Sequence, residues 1–314
     1  MKVVVSAVAF SKNKELTSEL CKHFSDVVVN TEGKRFTFEE LVEYYRNADA
    51  IIIGLEQINA PLLDCLPNLK IIVKYGVGLD NIDIPACEAR NISIGWTGGV
   101  NKGSVAEMAL GLMIMLCRNL YITSNQLKNG IWNKSGGRTL AECTVGVIGM
   151  GCIGKELVRM LQPLTKNILV NDLIDINDYA ALYSATVVEK DRIFREADII
   201  SVHTPLTNET RNMIDREQLA IMKRNSFVVN TARGGIINEE ALLEVLQQNL
   251  IGGAALDVYD IEPPIGNKLL ELPNLINTPH IAGNSNEAVI AMGMSAISHL
   301  LLFRQNETSK QKCI

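Results

Sequence analysis

Three ionisable side chains directly follow apolar, β-branched runs in the last third of the chain. Arg233 follows SFVVNTA, Glu262 follows GGAALDVYDI, and His280 follows NLINTP. In an open parallel sheet, ligands lie beyond the carboxyl ends of the strands, so these side chains are expected together at one edge of a sheet. A guanidinium, a carboxylate and an imidazole brought together there could orient a substrate and move a proton.

Each of the three side chains suits a different catalytic task. The guanidinium of Arg233 offers a fixed fork of donors that matches a carboxylate and the adjacent carbonyl oxygen of a substrate. An imidazole exchanges protons readily near neutral pH, so His280 could give a proton to an oxygen that gains charge, or take one in reverse. Glu262, hydrogen-bonded to that imidazole, would select its tautomer and favour its protonated form. We therefore predict that these three are catalytic residues.

A glycine turn with the spacing G-x-G-x-x-G predicts a dinucleotide site. Gly149, Gly151 and Gly154 directly follow an apolar strand pattern and open an amphipathic helical pattern. The first glycine permits a tight turn, the second lets the backbone approach a pyrophosphate, and the third lets helix and strand pack closely. The helix N-terminus offers unpaired N–H groups to the anion. Cys152 and Ile153, inside the turn, would contact the cofactor through their backbone.

The next strand pattern, NILVND, ends in Asp172, which lies 21 residues after Gly151. A carboxylate at this place in the motif accepts hydrogen bonds from the ribose hydroxyls. It would repel the 2′-phosphate of NADP, so NAD is the expected cofactor.

The strands and helices that position these residues read as an α/β fold with two doubly wound parallel sheets, a flavodoxin-like substrate domain and a Rossmann NAD-binding domain. Five strand patterns precede residue 97, namely KVVVSAV, DVVVN, AIIIGL, KIIVKYG and ISIGW. Six more follow residue 138, namely TVGVIGMG, NILVND, DIISVHTPL, SFVVNTARGG, GGAALDVYD and NLINTPHIAG. Helical patterns separate them, as parallel sheets require.

Two longer helical patterns set the expected domain boundaries. Residues 101–130 predict one helix, interrupted only by Gly111, that could bridge the two lobes. The apolar pattern at 286–303 is expected to return to the first lobe, because chain ends often lie close together. We predict a discontinuous substrate-binding domain of residues 1–100 and 285–314, and a dinucleotide-binding domain of residues 101–284.

Composition narrows the classes of function. The 314 residues are 47% hydrophobic and 21% charged, which excludes a disordered chain or a coiled coil. A net charge of −5 without a basic run argues against nucleic-acid binding. Seven scattered cysteines without a C-x-x-C pair predict neither a disulfide framework nor a metal site, and they favour the cytoplasm. The longest apolar stretch, residues 108–117, is too short to span a bilayer.

Taken together, these segments resemble the D-isomer-specific 2-hydroxyacid dehydrogenases, in particular the phosphoglycerate dehydrogenase branch. The likeness covers nearly the whole chain and rests on YGVGLDNID (75–83), GSVAEMALGLMIML (103–116), VGVIGMGCIG, ISVHTPLTNETRNMI (200–214), NTARGG, ALDVYDIEPP and NTPHIAG. The resemblance implies hydride transfer between NAD and a small D-2-hydroxy acid or 2-keto acid, with NAD in the cleft between two lobes. It also implies a homodimer formed through the helix that begins near Ser104.

The resemblance further implies roles for individual residues. The loop Gly76, Val77 and Gly78 would bind the substrate carboxylate through backbone N–H groups. Four residues match positions that line the nicotinamide half of the cofactor site in similar proteins: Thr204, Thr231, Asp257 and Gly283.

Departures from the family pattern bear on the substrate. Phosphoglycerate dehydrogenases carry a basic residue after the third strand, where this chain has Gly54, Leu55 and Glu56. Lys74 and Lys102 are the remaining cationic candidates, and Lys74 is the predicted substrate contact, so 3-phosphoglycerate stays open as a substrate. A second reading, in a different class, is an NAD(H)-sensing binding protein like the C-terminal binding protein corepressors, which keep this fold and the polar trio without significant turnover.

Overall fold

The computed structural model describes residues 1–312, so Cys313 lies outside the described residues. The chain forms two compact units, one of Met1–Asn101 with the segment that begins at Asn284, the other of Lys102–Gly283. We call them the first and the second unit. These divisions lie one residue from the predicted domain boundaries, and the assignment of substrate binding to the first unit stays a prediction.

The first unit is built on a five-stranded parallel sheet with the strand order β2-β1-β3-β4-β5. Its strands are β1 (Lys2–Val5), β2 (Asp26–Val29), β3 (Ala50–Ile53), β4 (Ile71–Lys74) and β5 (Ser93–Gly95). Its first helices are α1 (Val8–Lys12), α2 (Lys14–His23), α3 (Phe38–Tyr44), α4 (Ala60–Asp64) and α5 (Ile84–Glu88). The central strands are apolar without alternation because helices cover both faces of the sheet. All five predicted strands are present.

The second unit is built on a seven-stranded parallel sheet with the order β12-β11-β10-β9-β6-β7-β8. Its strands are β6 (Thr144–Ile148), β7 (Asn167–Asn171), β8 (Thr186–Val187), β9 (Ile199–Val202), β10 (Phe227–Asn230), β11 (Gly253–Leu256) and β12 (Leu275–Asn277). Its helices are α6 (Lys102–Cys117), α7 (Leu120–Lys128), α8 (Cys152–Leu161), α9 (Asn177–Leu182), α10 (Lys190–Glu196), α11 (Arg216–Ile221) and α12 (Glu239–Gln247). The six predicted strands are confirmed. The two-residue β8 was not predicted.

The strand order of the second unit reverses at β6, which pairs with β7 on one side and β9 on the other. Such a switch point leaves a crevice at the carboxyl ends of the strands, where ligands of doubly wound sheets bind. The glycine turn directly follows β6, so it lies at this crevice.

The prediction of one helix across residues 101–130 was wrong. The helix α6 ends at Cys117, α7 begins at Leu120, and the two are bent by 64°. Asn119 adopts the left-handed conformation with φ 51°, which asparagine tolerates better than most residues. The N–H of Arg138 donates to the carbonyl of Cys117 and so caps the end of α6. Both helices belong to the second unit.

The last helix, α13 (Asn286–Lys312), completes the core of the first unit. Its residues Met292, Ala296 and Leu300 are buried in the same cluster as Val3 and Phe10. By length and composition, the segment Asn286–Glu307 of this helix could cross a membrane. Helices α6 and α7 meet the same criteria only when they are taken together as one bent pair. The buried face of α13 packs against the sheet, as in the core helix of a folded domain.

Candidate active site

The glycine turn between β6 and α8 has two crowded glycines and one open glycine. Gly149 has φ 95°, and a Cβ atom there would lie 2.6 Å from the carbonyl carbon of His203. A Cβ on Gly154 would lie 1.9 Å from the carbonyl oxygen of Gly149. At Gly151, no heavy atom of the described residues lies within 4 Å of a Cβ position. The middle glycine therefore leaves its backbone open to a ligand, at the N-terminus of α8, which begins with Cys152.

Asp172 lies at the end of β7 and is hydrogen-bonded to this turn. Its Oδ2 accepts from the N–H of Met150 at 2.5 Å, and its Oδ1 accepts from the N–H groups of Leu173 and Ile174 at 2.6 and 3.3 Å. A carboxylate oxygen has more than one acceptor position, so both oxygens can still accept from ribose hydroxyls. The structure thus puts the carboxylate beside the glycine turn, while its role towards ribose stays a prediction.

Two predicted cofactor residues carry buried hydroxyl groups without a hydrogen-bond partner. Thr204 follows β9 and Thr231 follows β10, and the Oγ1 atom of each lacks a partner among residues 1–312. A buried polar group that is left unpaired costs about 1–3 kcal/mol. Such hydroxyls at the carboxyl ends of the strands fit a polar ligand, and with the open glycine turn they fit a dinucleotide. Cys152 and Ile153 lie in the first turn of α8, as their predicted backbone contacts require.

His203, beside this turn, is buried and neutral. Its Nε2 lies 2.8 Å from the hydroxyl of Ser201, and burial lowers the pKa of His203 to about 4. Gly149 packs directly against its backbone. His203 is thus part of the support of the glycine turn.

The predicted catalytic side chains come from three neighbouring strands. Arg233 follows β10, Glu262 follows β11, and His280 follows β12, and these strands are adjacent in the sheet. The Nδ1 of His280 lies 2.7 Å from Oε2 of Glu262. The other carboxylate oxygen, Oε1, accepts from the N–H of Tyr259 at 3.1 Å. The structure therefore brings the imidazole and the carboxylate together.

Electrostatics keep the Glu262 carboxylate ionised. Burial raises the pKa of Glu262, but the hydrogen bond and charge of His280, the Tyr259 N–H and the charge of Arg233 outweigh burial and hold the pKa below its ordinary value. An ionised carboxylate only accepts hydrogen bonds, so Nδ1 of His280 carries the shared proton. The Nε2 atom is left as the position for proton exchange with a ligand.

Close backbone packing positions the loops that carry Arg233 and Glu262. A Cβ on Gly234 would lie 1.9 Å from the carbonyl oxygen of Tyr259, so the loops after β10 and β11 touch through their backbones. The side chain of Asn230 donates to the carbonyl of Arg233 at 2.8 Å. The Arg233 side chain itself donates to the carbonyl of Ala232 at 2.7 Å. These contacts hold the backbone of Arg233 next to the Glu262 loop and tie one terminal guanidinium nitrogen to the carbonyl of Ala232.

Asp257 holds the loop that carries His280. Its buried carboxylate accepts from the Thr278 hydroxyl at 2.6 Å and from the N–H groups of Ile281 and Ala282 at 2.9 and 2.8 Å. Its carbonyl accepts from the N–H of His280, whose φ of 53° is in the left-handed region. Sequence reasoning missed this supporting role, and the predicted contacts of Asp257 and Gly283 with the cofactor stay predictions.

The predicted carboxylate-binding loop lies in the first unit, directly after β4. Gly76 has φ 131°, a conformation that favours glycine. None of the N–H groups of Gly76, Val77 and Gly78 donates a hydrogen bond within the described part of the chain. Unpaired backbone N–H groups in a turn can donate to an anion. The loop can therefore accept a carboxylate.

Lys74, the predicted cationic contact, has a structural function in this loop. Its buried amino group donates to the carbonyl of Gly54 at 2.5 Å and to the side chain of Asn81 at 2.6 Å. It thereby ties the loop after β3 to the loop after β4. Its predicted contact with substrate stays a prediction, and Lys102 lies in the other unit at the start of α6.

Comparisons with known proteins agree with this geometry. The family model for the D-isomer specific 2-hydroxyacid dehydrogenase, NAD binding domain, matches residues 110–282. A hydroxypyruvate reductase from Thermotoga maritima is 36% identical over 293 residues, which are 90% of this chain and 94% of that protein. A D-3-phosphoglycerate dehydrogenase from Methanocaldococcus jannaschii is 38% identical over 261 residues, 82% of this chain and only 50% of that protein. Among solved structures, D-lactate dehydrogenase from Aquifex aeolicus, complexed with NAD and lactic acid, superposes with a TM-score of 0.84 at 25% identity, covering 99% of this chain and 98% of that one.

Proposed function

Because the chain belongs to the D-isomer specific 2-hydroxyacid dehydrogenase family, whose members act with NAD on small 2-hydroxy and 2-keto acids, we propose that it reduces an unphosphorylated 2-keto acid such as hydroxypyruvate. The product is the D-2-hydroxy acid, and the same site catalyses the reverse oxidation. The observation that carries this proposal is the pair formed by the ionised Glu262 and His280, with Arg233 on the adjacent strand.

The residues divide the reaction among them. Bound NADH supplies the hydride that reduces C2 of the keto acid. His280 gives a proton from Nε2 to the former carbonyl oxygen, and the Glu262 carboxylate stabilises the charged imidazole before this transfer. Arg233 binds the substrate carboxylate and polarises the adjacent carbonyl group.

The cofactor is held by the second unit. The open backbone at Gly151 and the first turn of α8 bind the pyrophosphate, and Asp172 accepts from the ribose hydroxyls. The unpaired hydroxyls of Thr204 and Thr231 gain partners on the nicotinamide half. In the first unit, the free N–H groups of the Gly76–Gly78 loop bind the substrate carboxylate.

The loop after β3 supports an unphosphorylated substrate. Glu56 lies there, with its carboxylate accepting from the N–H of Gly54 at 2.7 Å, and Leu55 beside it is 74% exposed. An anionic side chain disfavours a phosphate group by like-charge repulsion. The amino group of Lys74 is already hydrogen-bonded to Gly54 and Asn81. We therefore place hydroxypyruvate and glyoxylate ahead of a phosphorylated acid.

The test is a steady-state screen of hydroxypyruvate, glyoxylate and phosphohydroxypyruvate with NADH, with His280→Ala as the control. We expect the highest kcat/KM with an unphosphorylated acid, and a fall in kcat of about 10²- to 10⁴-fold in the variant, as loss of a general acid produces. A preference for phosphohydroxypyruvate would overturn the substrate assignment. NADH binding without oxidation above the control, for every acid, would favour the NAD(H)-sensing alternative.

We also propose that the protein is a homodimer in the cytoplasm. No residue of helix α7 is fully buried, and its side chains Leu120 and Leu127 are 48% and 56% exposed. Trp132, in the following loop, is 77% exposed, and such an apolar surface suits contact with a second copy.

A further inference from the structure

A tryptophan next to the carboxylate-binding loop is hydrogen-bonded to that loop. Trp96 follows β5 in the first unit, and its indole Nε1 donates to the carbonyl oxygen of Val77 at 2.8 Å. The side chain is 40% exposed, so this bond lies at a surface that a ligand can reach.

The bond to Val77 fixes the direction of the following N–H group. The carbonyl of Val77 and the N–H of Gly78 belong to one planar trans peptide, in which the two groups point in opposite directions. Because the carbonyl points to the indole, the N–H of Gly78 points away from it. That N–H has no partner within residues 1–312.

The backbone of this loop needs such a restraint. Gly76 and Gly78 flank Val77, and glycine rotates more freely about φ and ψ than any other residue. Without the indole bond, the peptide between Val77 and Gly78 could turn its N–H towards water. With the bond, the donor is oriented before a ligand arrives, so less entropy is lost on binding.

The segment around Trp96 is itself anchored to α13. A Cβ on Gly95 would lie 2.7 Å from the Cβ of His299, so the backbone passes directly over that helix. The hydroxyl of Thr97 lies 2.8 Å from Nε2 of His299 and accepts from the Ser295 hydroxyl at 3.0 Å. Both neighbours of Trp96 in the chain are therefore held.

The indole ring of Trp96 packs against Gly98. A Cβ on Gly98 would lie 3.0 Å from Cη2 of Trp96, so the ring packs closely over the glycine backbone. The ring is thus fixed from one side by Gly98, while its N–H reaches Val77.

We propose that Trp96 is a positioning residue that orients the N–H of Gly78 to bind the carboxylate of the 2-keto acid. The proposal rests on the proposed function, in which this loop receives the substrate carboxylate. It goes beyond it by assigning a specificity function for carboxylate ligands to the indole N–H. Trp96 acts through the peptide group of Val77 and Gly78, and it takes no part in proton or hydride transfer.

The first test compares the kinetics of Trp96→Phe with those of the wild type. Phenylalanine keeps an aromatic side chain at this position but removes the N–H donor, together with the outer-ring atoms of the indole that pack on Gly98. We expect KM for the keto acid, and the inhibition constant of oxalate, to rise roughly threefold to tenfold, the effect of one lost hydrogen bond of ordinary strength. The value of kcat should stay within about twofold, and KM for NADH should not change, because the chemistry and the cofactor site use other residues.

The matched control is Trp132→Phe, which removes the only other tryptophan of the chain, at a 77% exposed position in the second unit. It should leave KM, kcat and the oxalate inhibition constant unchanged. Wild-type KM and oxalate inhibition in Trp96→Phe would overturn the proposal. So would a fall in kcat with KM unchanged, or a matching rise in KM for NADH, because either indicates a general distortion.

A second measurement uses a protein that retains Trp96. In Trp132→Phe, Trp96 is the sole tryptophan, and its fluorescence is titrated with oxalate in the presence of NAD. We expect the emission to change with a midpoint equal to the oxalate inhibition constant, and an unchanged emission would overturn the proposal. If the wild type reduces no keto acid, the proposed function fails; if it reduces one and only the Trp96 results are negative, the inference alone fails.

Discussion

At the scale of single residues, Asp172 has two roles, and a single substitution removes both. Its carboxylate accepts from the backbone N–H groups of Met150, Leu173 and Ile174, and it carries the negative charge opposed to a 2′-phosphate. In Asp172→Ala the charge is lost and three N–H groups become available to an anion. We expect the ratio of kcat/KM for NADPH to that for NADH to rise by roughly tenfold or more, since one charge–charge contact near a protein surface is worth a few kcal/mol.

The measurement is kcat/KM with each cofactor for the wild type and the variant. Asp175→Ala is the control, because Asp175 is a nearby acidic residue whose side chain accepts from Asn177, outside the glycine turn. An unchanged cofactor ratio in Asp172→Ala would remove Asp172 from the ribose site.

His203 should make the protein sensitive to acid. Burial lowers the pKa of His203 from 6.5 to about 4, so between these values the unfolded chain binds a proton that the folded chain does not. Titration of this residue therefore does not change stability above pH 6.5, and its protonation in the unfolded state lowers the free energy of unfolding as pH falls from 6.5 to 4. At about 1.4 kcal/mol per pKa unit, the loss at pH 4.5 is about 2–3 kcal/mol.

The check is urea denaturation of the wild type and His203→Gln at pH 7 and pH 4.5. Glutamine keeps hydrogen-bonding capacity without titrating, so the stability difference between the two proteins should shift by about 2–3 kcal/mol in favour of the variant at the lower pH. The control is His23→Gln on α2, where the imidazole is partly exposed. A difference that does not change with pH would contradict the prediction.

At the scale of elements, Gly234 controls the spacing of the loops after β10 and β11. A methyl group at this position would lie 1.9 Å from the carbonyl oxygen of Tyr259, so Gly234→Ala must push the Arg233 loop away from the Glu262 loop. We expect a loss of stability of about 1–3 kcal/mol and a fall in kcat/KM of tenfold or more, because about 1 Å of misplacement can cost roughly 10²-fold. Thermal unfolding and steady-state kinetics measure the two effects.

Gly111→Ala is the matched control for this substitution. Gly111 lies inside α6, and no described heavy atom lies within 4 Å of a Cβ position. Alanine there should stabilise the helix by up to about 1 kcal/mol and leave the kinetics unchanged. Wild-type activity in Gly234→Ala would show that the spacing of the two loops does not control the site.

Most strands could be predicted from the sequence, but one helix end and one short strand could not. Runs such as AIII and IIVK predict strands because an unbroken β-branched run suits a sheet that is covered on both faces. The end of α6 was missed because the N–H of Arg138 caps the carbonyl of Cys117, and a cap formed by residues 21 positions apart leaves no local pattern. The two residues of β8 are too few to show a period.

In the candidate active site, too, some features could be predicted from the sequence and others could not. Arg233, Glu262 and His280 could be grouped from the sequence because the ends of adjacent parallel strands meet at one edge. The supporting hydrogen bonds of Asp257 and Trp96 could not be predicted, because they depend on loop conformations that residue type alone does not determine. The bonds of Lys74 to Gly54 and Asn81 could not be predicted either, because these partners come from two separate loops, and its contact with substrate stays a prediction.

At the scale of the whole molecule, the surface around α7 predicts the state of assembly. Leu120 and Leu127 on α7, with Ile131 and Trp132 after it, are 48–77% exposed, and α7 has no buried residue within its own chain. Tyr121 of α7 packs against the core of the second unit, but the leucines remain exposed, so we expect a second copy to cover them. The wild type should therefore behave as a particle of twice the 34.5 kDa chain mass.

Light scattering with size-exclusion chromatography measures this mass for the wild type and for Leu127→Glu. A charge at the centre of an apolar contact should convert the dimer to a monomer, since an unpaired buried carboxylate opposes association by several kcal/mol. The control is Leu173→Glu, which puts the same charge on a 91% exposed leucine after β7 and should leave the mass unchanged. A monomeric wild type, or a dimer that survives Leu127→Glu, would contradict assembly through α7.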